Sequence, residues 1–485
     1  MDIGMNLSLF AGASIVVPFV AALLIVILPQ KAARGLSLAG GAIATVATIV
    51  AWALFAHSGS NPIDFNVFSI INLEFIGFIY DKISVMLATC FVGIGFIITI
   101  YSVGYLSPGN KEHADAPSRR FYAAFTVFIG AIAGLVYSST LVSMLIFFEI
   151  TGACSWALIR HYGTDTANKS AMKALIMTHI GSLGLFIAVG LLFMQTGSFM
   201  VTAIASLGSA WKSGIIICII IAAWAKSAQL PFYMWLPSAM EAPTPVSAYL
   251  HGASMVKVGV AIVARVLVEA GAIPDVVGWV LVIGAIVTMI FSFLMYLPQK
   301  DMKRLLAFST ISQLSYIFLG FAFFVFGSQL AFEGSIMHIF NHAFAKTLFF
   351  LVAGAFSYSM GTRMLPKIRG VLKKQPLLAV GFVVAALAIA GVPPLSGFFS
   401  KFAIFSGSFQ AASGNWVLIL IVVVALIETV LCFAWFLKWI GQVVPGEPSE
   451  AVAESKAIPK TMVFVFVVLI IMTVASSFIA AAWLS

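Results

Sequence analysis

The feature that most constrains this chain is a recurrence. Apolar runs of helix-spanning length follow one another, separated by short connections that hold most of the charged residues. A helix needs about 20 residues to cross a hydrocarbon layer about 30 Å thick. That rule gives about fourteen spans, at 7–29, 36–56, 83–106, 121–138, 140–160, 171–194, 213–245, 247–270, 276–297, 304–326, 332–358, 377–408, 416–442 and 461–484. Only 9% of the residues are charged and 62% are hydrophobic, whereas a soluble domain carries roughly 25% charged residues. A water-soluble globule could not cover its surface with so few charges. Lipid is the solvent for most of this chain.

The basic residues add an orientation. Of the 26 Lys and Arg, nineteen fall in connections on one side of the span pattern, from Lys31 and Arg34 to Lys456 and Lys460. The opposite side holds only Lys82 and Lys212, and five (Lys226, Lys257, Arg265, Lys346, Lys401) lie within spans. By the positive-inside rule, both termini sit outside the cytoplasm. The net charge of +9 is thus topological, and no nucleic-acid partner is expected. The first run, from about Leu7 to Leu28, is too long for a signal peptide core and lacks a basic leader, so it reads as a retained helix. Cys90, Cys154, Cys218 and Cys432 sit in apolar runs without a CxxC pair. They read as packing residues, not as zinc or iron–sulfur ligands.

Two spans contain prolines that break a helical ladder: Pro231, Pro237, Pro243 and Pro245 in 213–245, and Pro393 and Pro394 in 377–408. Freed backbone groups are tolerated in lipid only against protein or a wet cavity. The two breaks lie five spans apart, which suggests a repeat with an odd helix number and hence opposite orientation. The expected fold is an all-α polytopic membrane protein with two inverted five-helix repeats and broken helices 7 and 12. Its divisions are 1–120, 121–270 (first repeat), 271–442 (second repeat) and 443–485.

A charged side chain at the bilayer centre costs about 2.5–3.5 kcal/mol even on lenient scales. Glu149, in LIFFEITGACSW, reads either as a proton-binding carboxylate or as a lone protonated carboxyl hydrogen-bonded to a neighbouring helix. Lys226 precedes the first break by five residues. A carboxylate about 4 Å from such an ammonium is worth roughly 4 kcal/mol at an effective dielectric of about 20, enough for making and breaking the pair to load or release a proton. A static ion pair is the bland alternative. Lys257 follows His251 by six residues, so the two do not share a narrow helix face. His251 could equally bond a carbonyl freed by the break.

His338, His342 and Lys346 recur at four-residue intervals and stack along one face. Histidine titrates near neutral pH and suits a relay; a structural polar seam is the alternative. The HxxxH spacing could hold a metal, but no third ligand is evident. Lys401 follows the second break and is either a proton carrier or a snorkelling lysine. Glu428 and Glu241 are weaker candidates, the latter as a helix cap, and Glu333 and Arg265 near span ends read as snorkelling. Acids and bases spread over at least five helices suit a lateral proton chain better than a single substrate pocket. No Walker, GxGxxG or Ser–His–Asp arrangement is present in the sequence, so redox or ATP chemistry on this chain is not expected.

At these residues the sequence resembles the antiporter-like proton-translocating subunits of respiratory complex I and of multisubunit cation/proton antiporters. The resemblance lies in FFEITG, AKSAQLPFYMWLPSAMEAPTPVSAYLHGASMVKVG, DMKRLLAFSTISQLSY, NHAFAKTLFFLVAGA and GVPPLSGFFSKF. Within that family, AFAKTLFFLVAGAFSYSMGTRMLPKIRGVL and VVPGEPSEAV resemble the D subunits of hydrogenase-4 in formate hydrogenlyase-type complexes. The resemblance implies fourteen helices and two inverted five-helix units. It implies a coupling pair of Glu149 and Lys226, a central Lys257, a bridge of His338, His342 and Lys346, and an exit-side carrier in Lys401.

The expected function is therefore a non-catalytic, proton-translocating subunit in the inner membrane of a bacterium. Expected partners are other membrane subunits of a complex I-like or hydrogenase assembly and a soluble hydrogenase arm. That arm would carry the nickel–iron centre and iron–sulfur clusters, with no cofactor on this chain. The longest complex I relative adds a lateral helix after its fourteenth span; this sequence stops at Ser485, so no such brace is expected. A sodium/proton antiporter subunit and a structural scaffold remain the alternatives.

Overall fold

The computed structural model describes residues 3–71, 73–113 and 118–484. Helices α1 (Ile3–Ile27) and α2 (Gln30–His57) lead to a hairpin of β1 (Ile63–Ile70) and β2 (Leu73–Tyr80). Then come α3 (Lys82–Tyr105), α4 (Arg119–Tyr137), α5 (Leu141–Ile159), α6 (Asp165–Thr196) and α7 (Ser209–Lys226). Short α8 (Trp235–Ser238) precedes α9 (Thr244–Gly252), α10 (Met255–Glu269), α11 (Asp275–Tyr296), α12 (Met302–Val325) and α13 (Gln329–Met360). The chain finishes with α14 (Val371–Lys374), α15 (Pro376–Ala390), α16 (Ser396–Ala411), α17 (Trp416–Val443), α18 (Glu450–Ala453) and α19 (Lys460–Leu484).

Thirteen helical stretches among the described residues are long and apolar enough to cross a membrane. The remaining expected span, 377–408, is two pieces of 15 and 16 residues, α15 and α16. Gly391, in the left-handed region at φ +85°, ends the first piece just before Pro393 and Pro394. The 213–245 span likewise stops at Lys226, where Ala228 is left-handed at φ +50°. The span 247–270 is among the thirteen, as Thr244–Glu269, but it carries a break that the sequence did not predict. Gly252 ends α9 and Met255 starts α10, with Ser254 outside helical geometry at φ −133°, ψ −106°.

The helix starts are written in short polar side chains. Ser118, Thr140, Thr164, Asp301 and Ser328 each accept a backbone N–H from the first turn of α4, α5, α6, α12 and α13. Such groups satisfy donors that the helix leaves open. The hairpin adds to the helical pattern, and its runs are too short to register in a count of membrane spans. Its signal is the alternation of Ile63, Phe65 and Val67. It pairs antiparallel, Ile63 opposite Tyr80, and Thr140 Oγ1 donates to Phe75 O at 2.7 Å, tying the hairpin to the start of α5.

The chain forms two compact units. One is built from residues 3–96, 118–241 and 253–281, the other from 97–113, 242–252 and 282–484. In the first, α4 packs on α1, α2 and α5, and α6 and α10 both pack on α7. In the second, α13 is the axis. It packs against α9, α12, α15, α16 and α19, and its apolar window is wholly buried.

Arg265 is not a snorkelling residue. It is 5% exposed, pairs with Asp81 at the start of α3, and lies 3.5 Å from Glu269. Its place one turn from the end of α10 made it look peripheral, but Asp81, between the hairpin and α3, meets it there. Lys212, expected in a connection, is buried in the first turn of α7, where its ammonium donates to the carbonyls of Ala205, Ala270 and Ala272 at 2.9–3.2 Å.

Burial alone would push the Asp81 carboxyl up, but the Arg265 guanidinium and two hydrogen bonds from Ser84 hold it below its ordinary 3.8. A carboxyl lowered by folding contributes its full stability above that ordinary value and loses it as pH falls through the folded value. Asp81→Ala is expected to cost up to about 3–5 kcal/mol by leaving the buried Arg265 with only its longer contact to Glu269. Thermal unfolding in detergent checks this. The stability that wild type loses on acidification below pH 3.8 should be missing from the variant's profile.

Candidate functional site

In the first unit the polar groups gather where α7 stops. Lys226, the last residue of α7, is 1% exposed. Its ammonium donates to Phe148 O at 3.0 Å and Thr151 Oγ1 at 3.3 Å, and lies 4.3 Å from the centre of the Phe148 ring. All three partners belong to one turn of α5. Gly152 makes the room: a Cβ there would stand 3.2 Å from the ammonium nitrogen.

Glu149 is one residue from Phe148 but points elsewhere. Its carboxylate pairs with His179 Nε2 of α6 at 2.9 Å. Glu149 is close enough to act electrostatically on Lys226, yet the expected Glu149–Lys226 ion pair is not formed here. The reason is helix geometry: Glu149 and Thr151 stand about 200° apart on α5, so the lysine takes one face and the carboxylate the other. That second face is open, with the Glu149 side chain 27% exposed and His179 51% exposed. Lys257 is fully buried on α10, with the Cys90 thiol of α3 in its electrostatic surroundings.

In the second unit a polar seam runs along α12 and α13. His251, at the end of α9, shares a hydrogen bond with Thr310 Oγ1 at 3.1 Å and lies against the Phe350 ring at 4.4 Å. Its side-chain partner is thus a hydroxyl, not a freed backbone carbonyl. Thr310 donates to Leu306 O, the carbonyl that also receives Lys346 Nζ at 3.4 Å; Lys346 donates to Ser309 Oγ as well, at 3.0 Å. His342 and His338 continue along α13 with ring centres 5.9 Å apart. His338 Nδ1 lies 2.9 Å from Ser400 Oγ of α16.

Beside Ser400, Lys401 is buried, not snorkelling, because α16 turns it inward toward the break. Its ammonium donates to Ile389 O at 3.1 Å and sits 4.4 Å from the Tyr316 ring centre. The Tyr316 hydroxyl in turn donates to Glu428 of α17, which also accepts from Ser312 at 2.8 Å. Glu428, weak as a sequence candidate, is therefore a buried carboxylate with two donors. A cavity of about 330 Å³, lined by Phe398, Phe402, Phe405, Phe409 and Leu426, opens beside Lys401. Glu241 only ends the turn Ala239–Glu241 and is half-buried, while Glu333 accepts from Gln329.

Sequence reasoning missed His179, Tyr316 and Ser400. The signal for His179 was present, since a histidine interrupts the apolar run of α6. The other two are neutral and carry no such mark. Among the described residues no cluster of three or more His, Cys, Asp or Glu could hold a metal ion.

Residues 138–428 match a family described as NADH:quinone oxidoreductase/Mrp antiporter, transmembrane. Subunit A1 of a Na(+)/H(+) antiporter from Staphylococcus aureus is 34% identical over 419 residues, covering 80% of this chain and 51% of that protein. This chain thus spans about half the length of the curated relatives it matches. The Mrp complex of Dietzia sp. DQ12-45-1b superposes with a TM-score of 0.84 at 26% identity, over 96% of this chain and 50% of that one. A subunit of the membrane-bound sulfane sulfur reductase, an archaeal respiratory complex, gives 0.83 at 21% identity, over 98% and 95%, a likeness of fold.

Replacing Glu428 by Ala strands the Ser312 hydroxyl, and a buried unsatisfied donor costs about 1–3 kcal/mol; the Tyr316 hydroxyl keeps Thr429 Oγ1 and Ala425 O as partners. The variant is expected to melt well below wild type in a detergent unfolding assay. Glu428→Gln, which keeps an acceptor, should fall between the two.

Proposed function

We propose that this chain, which belongs to the NADH:quinone oxidoreductase/Mrp antiporter transmembrane family, moves protons across the membrane through the ionisable groups buried in its two units. It is an antiporter-like, multi-pass membrane protein. One observation carries the reading: Lys226 and Lys401 are at most 3% exposed, and each ammonium is held by neutral carbonyls, a hydroxyl or an aromatic ring. A lysine so placed changes its preferred charge when a nearby carboxylate moves or is neutralised. Lys226 and Glu149 are such a neighbouring pair, with His179 as the partner that competes for the carboxylate.

In the first unit, proton uptake and release centre on Lys226, Glu149 and Lys257. In the second, His251, Lys346, His342 and His338 form the relay and Lys401 the terminal carrier, with Glu428 as its carboxylate. The half-exposed Glu149–His179 pair lies mid-span, where facing lipid would be costly. We assign that face to another membrane subunit, through which the driving event reaches Glu149. Both termini lie on the outer side of a bacterial inner membrane in this reading, and 121–270 and 271–442 are inverted repeats.

The driver is redox chemistry in a hydrogenase or formate hydrogenlyase-type complex, with nickel–iron and iron–sulfur centres on partner subunits. The resemblances to hydrogenase-4 support this, as does the fold shared with a subunit of an archaeal respiratory complex. A second reading, sodium/proton antiport, is supported by the S. aureus relative at 34% identity.

The experiment is proton transport by the intact complex in inverted vesicles, followed with a pH-sensitive dye. Lys226→Met and Glu149→Gln are each expected to lower the rate at least about tenfold while the complex still assembles. Undiminished transport in both variants would sink the mechanism. A rate that rises with sodium, without any redox substrate, would move the assignment to the antiporter reading.

A further inference from the structure

Gln313 lies mid-way along α12 and is fully buried, yet neither Oε1 nor Nε2 of its amide has a hydrogen-bond partner. A primary amide offers two donors and an acceptor with two lone pairs, and buried polar groups without partners are rare in folded proteins. The amide lines a cleft with His338, His342, Asn341 and Ser396. Two more groups around that cleft share its condition: Asn341 Oδ1 and Ser396 Oγ are also buried without a partner. Asn341 is otherwise engaged, its Nδ2 donating to Ser396 O and Ser477 Oγ. The cleft is too tight for a water-sized sphere.

We infer that Gln313 is a positioning residue that gates the proton route of the second unit, closing the cleft between the α13 histidines and the start of α16. The inference rests on the proton-transport reading above. Three neighbouring polar groups without partners have no account as packing, because a Leu or Met of similar size would fill the space at no polar cost. They do have an account as one side of a two-state element. A swing of the flexible Gln313 side chain widens the cleft, admits water and gives each stranded atom a partner. In that open state a histidine N–H bond breaks as an O–H bond forms on water. The water passes a proton onward to the neutral Lys401 amine through the His338–Ser400 side of the cleft. The amide orients the water by donating from Nε2 and accepting at Oε1, and its own protonation never changes.

The test compares Gln313→Met and Gln313→Glu with wild type and with Lys401→Met, in the intact complex, by vesicle proton transport and detergent melting. Gln313→Met is expected to melt at or above wild type, because it removes the unpartnered amide, and to transport at least about tenfold more slowly. Gln313→Glu, protonated in the buried cleft, keeps an O–H donor and a C=O acceptor and should stay within about threefold of wild type. A purely structural amide predicts the reverse for Met: a lower melting point and, once folded, an unchanged rate. Wild-type transport in Gln313→Met, or a Glu variant as slow as the Met one, overturns the gate. If Lys401→Met also transports normally, the proton reading of this unit fails with it; if only Lys401→Met is slow, the gate alone fails.

Discussion

Every charge buried within this chain's spans has to be answered by the chain itself, because hydrocarbon answers none. The chain meets that demand in two ways. The Arg265–Asp81 pair is a closed account, opposite charges with Ser84 and Glu269 beside them at one end of α10. Lys212 is closed too, its ammonium spread over three carbonyls. Lys226 and Lys401 touch only neutral groups, with Glu149 and Glu428 acting on them from beyond contact. The same constraint therefore separates groups that hold the fold from groups that can change state.

Both of those lysines stand beside an interruption between helices. Lys226 closes α7 and Lys401 follows the start of α16, and in each case a helix-stopping residue in the left-handed region, Ala228 or Gly391, lies close by in sequence. A broken helix leaves carbonyls without a helical partner, and the two ammonium groups use this supply differently. Lys401 takes Ile389 O from the broken helix itself. Lys226 reaches across to α5, where the absent side chain of Gly152 leaves it space.

The spans were legible because lipid imposes length and apolarity, and both are written directly in the residues. Ionisable side chains inside them were legible for the same reason: Lys226, Lys257, Lys346 and Lys401 all proved buried. Partnership was not. Glu149 and Lys226 looked like a pair because opposite charges in a dry medium should meet, yet the azimuth of Glu149 on α5 delivers it to His179. The break at Ala253 and Ser254 carries no proline within it, so nothing in the sequence flagged it. Gln313 was invisible because an amide has no charge to betray it, and its lack of partners is a property of the packed state alone.

The long axial helix α13 has a consequence for how this protein is made. It carries two histidines, a lysine and an asparagine, and its apolar stretch is entirely covered by neighbours once folded. As a solitary segment leaving the ribosome it would have to expose those side chains to acyl chains. Its integration is therefore cooperative, sheltered first by α12, the helix synthesised just before it and packed against it in the finished unit. The sheath is completed only when α15, α16 and α19 have emerged, so the stretch that follows α13 acts as the chaperone of its interior.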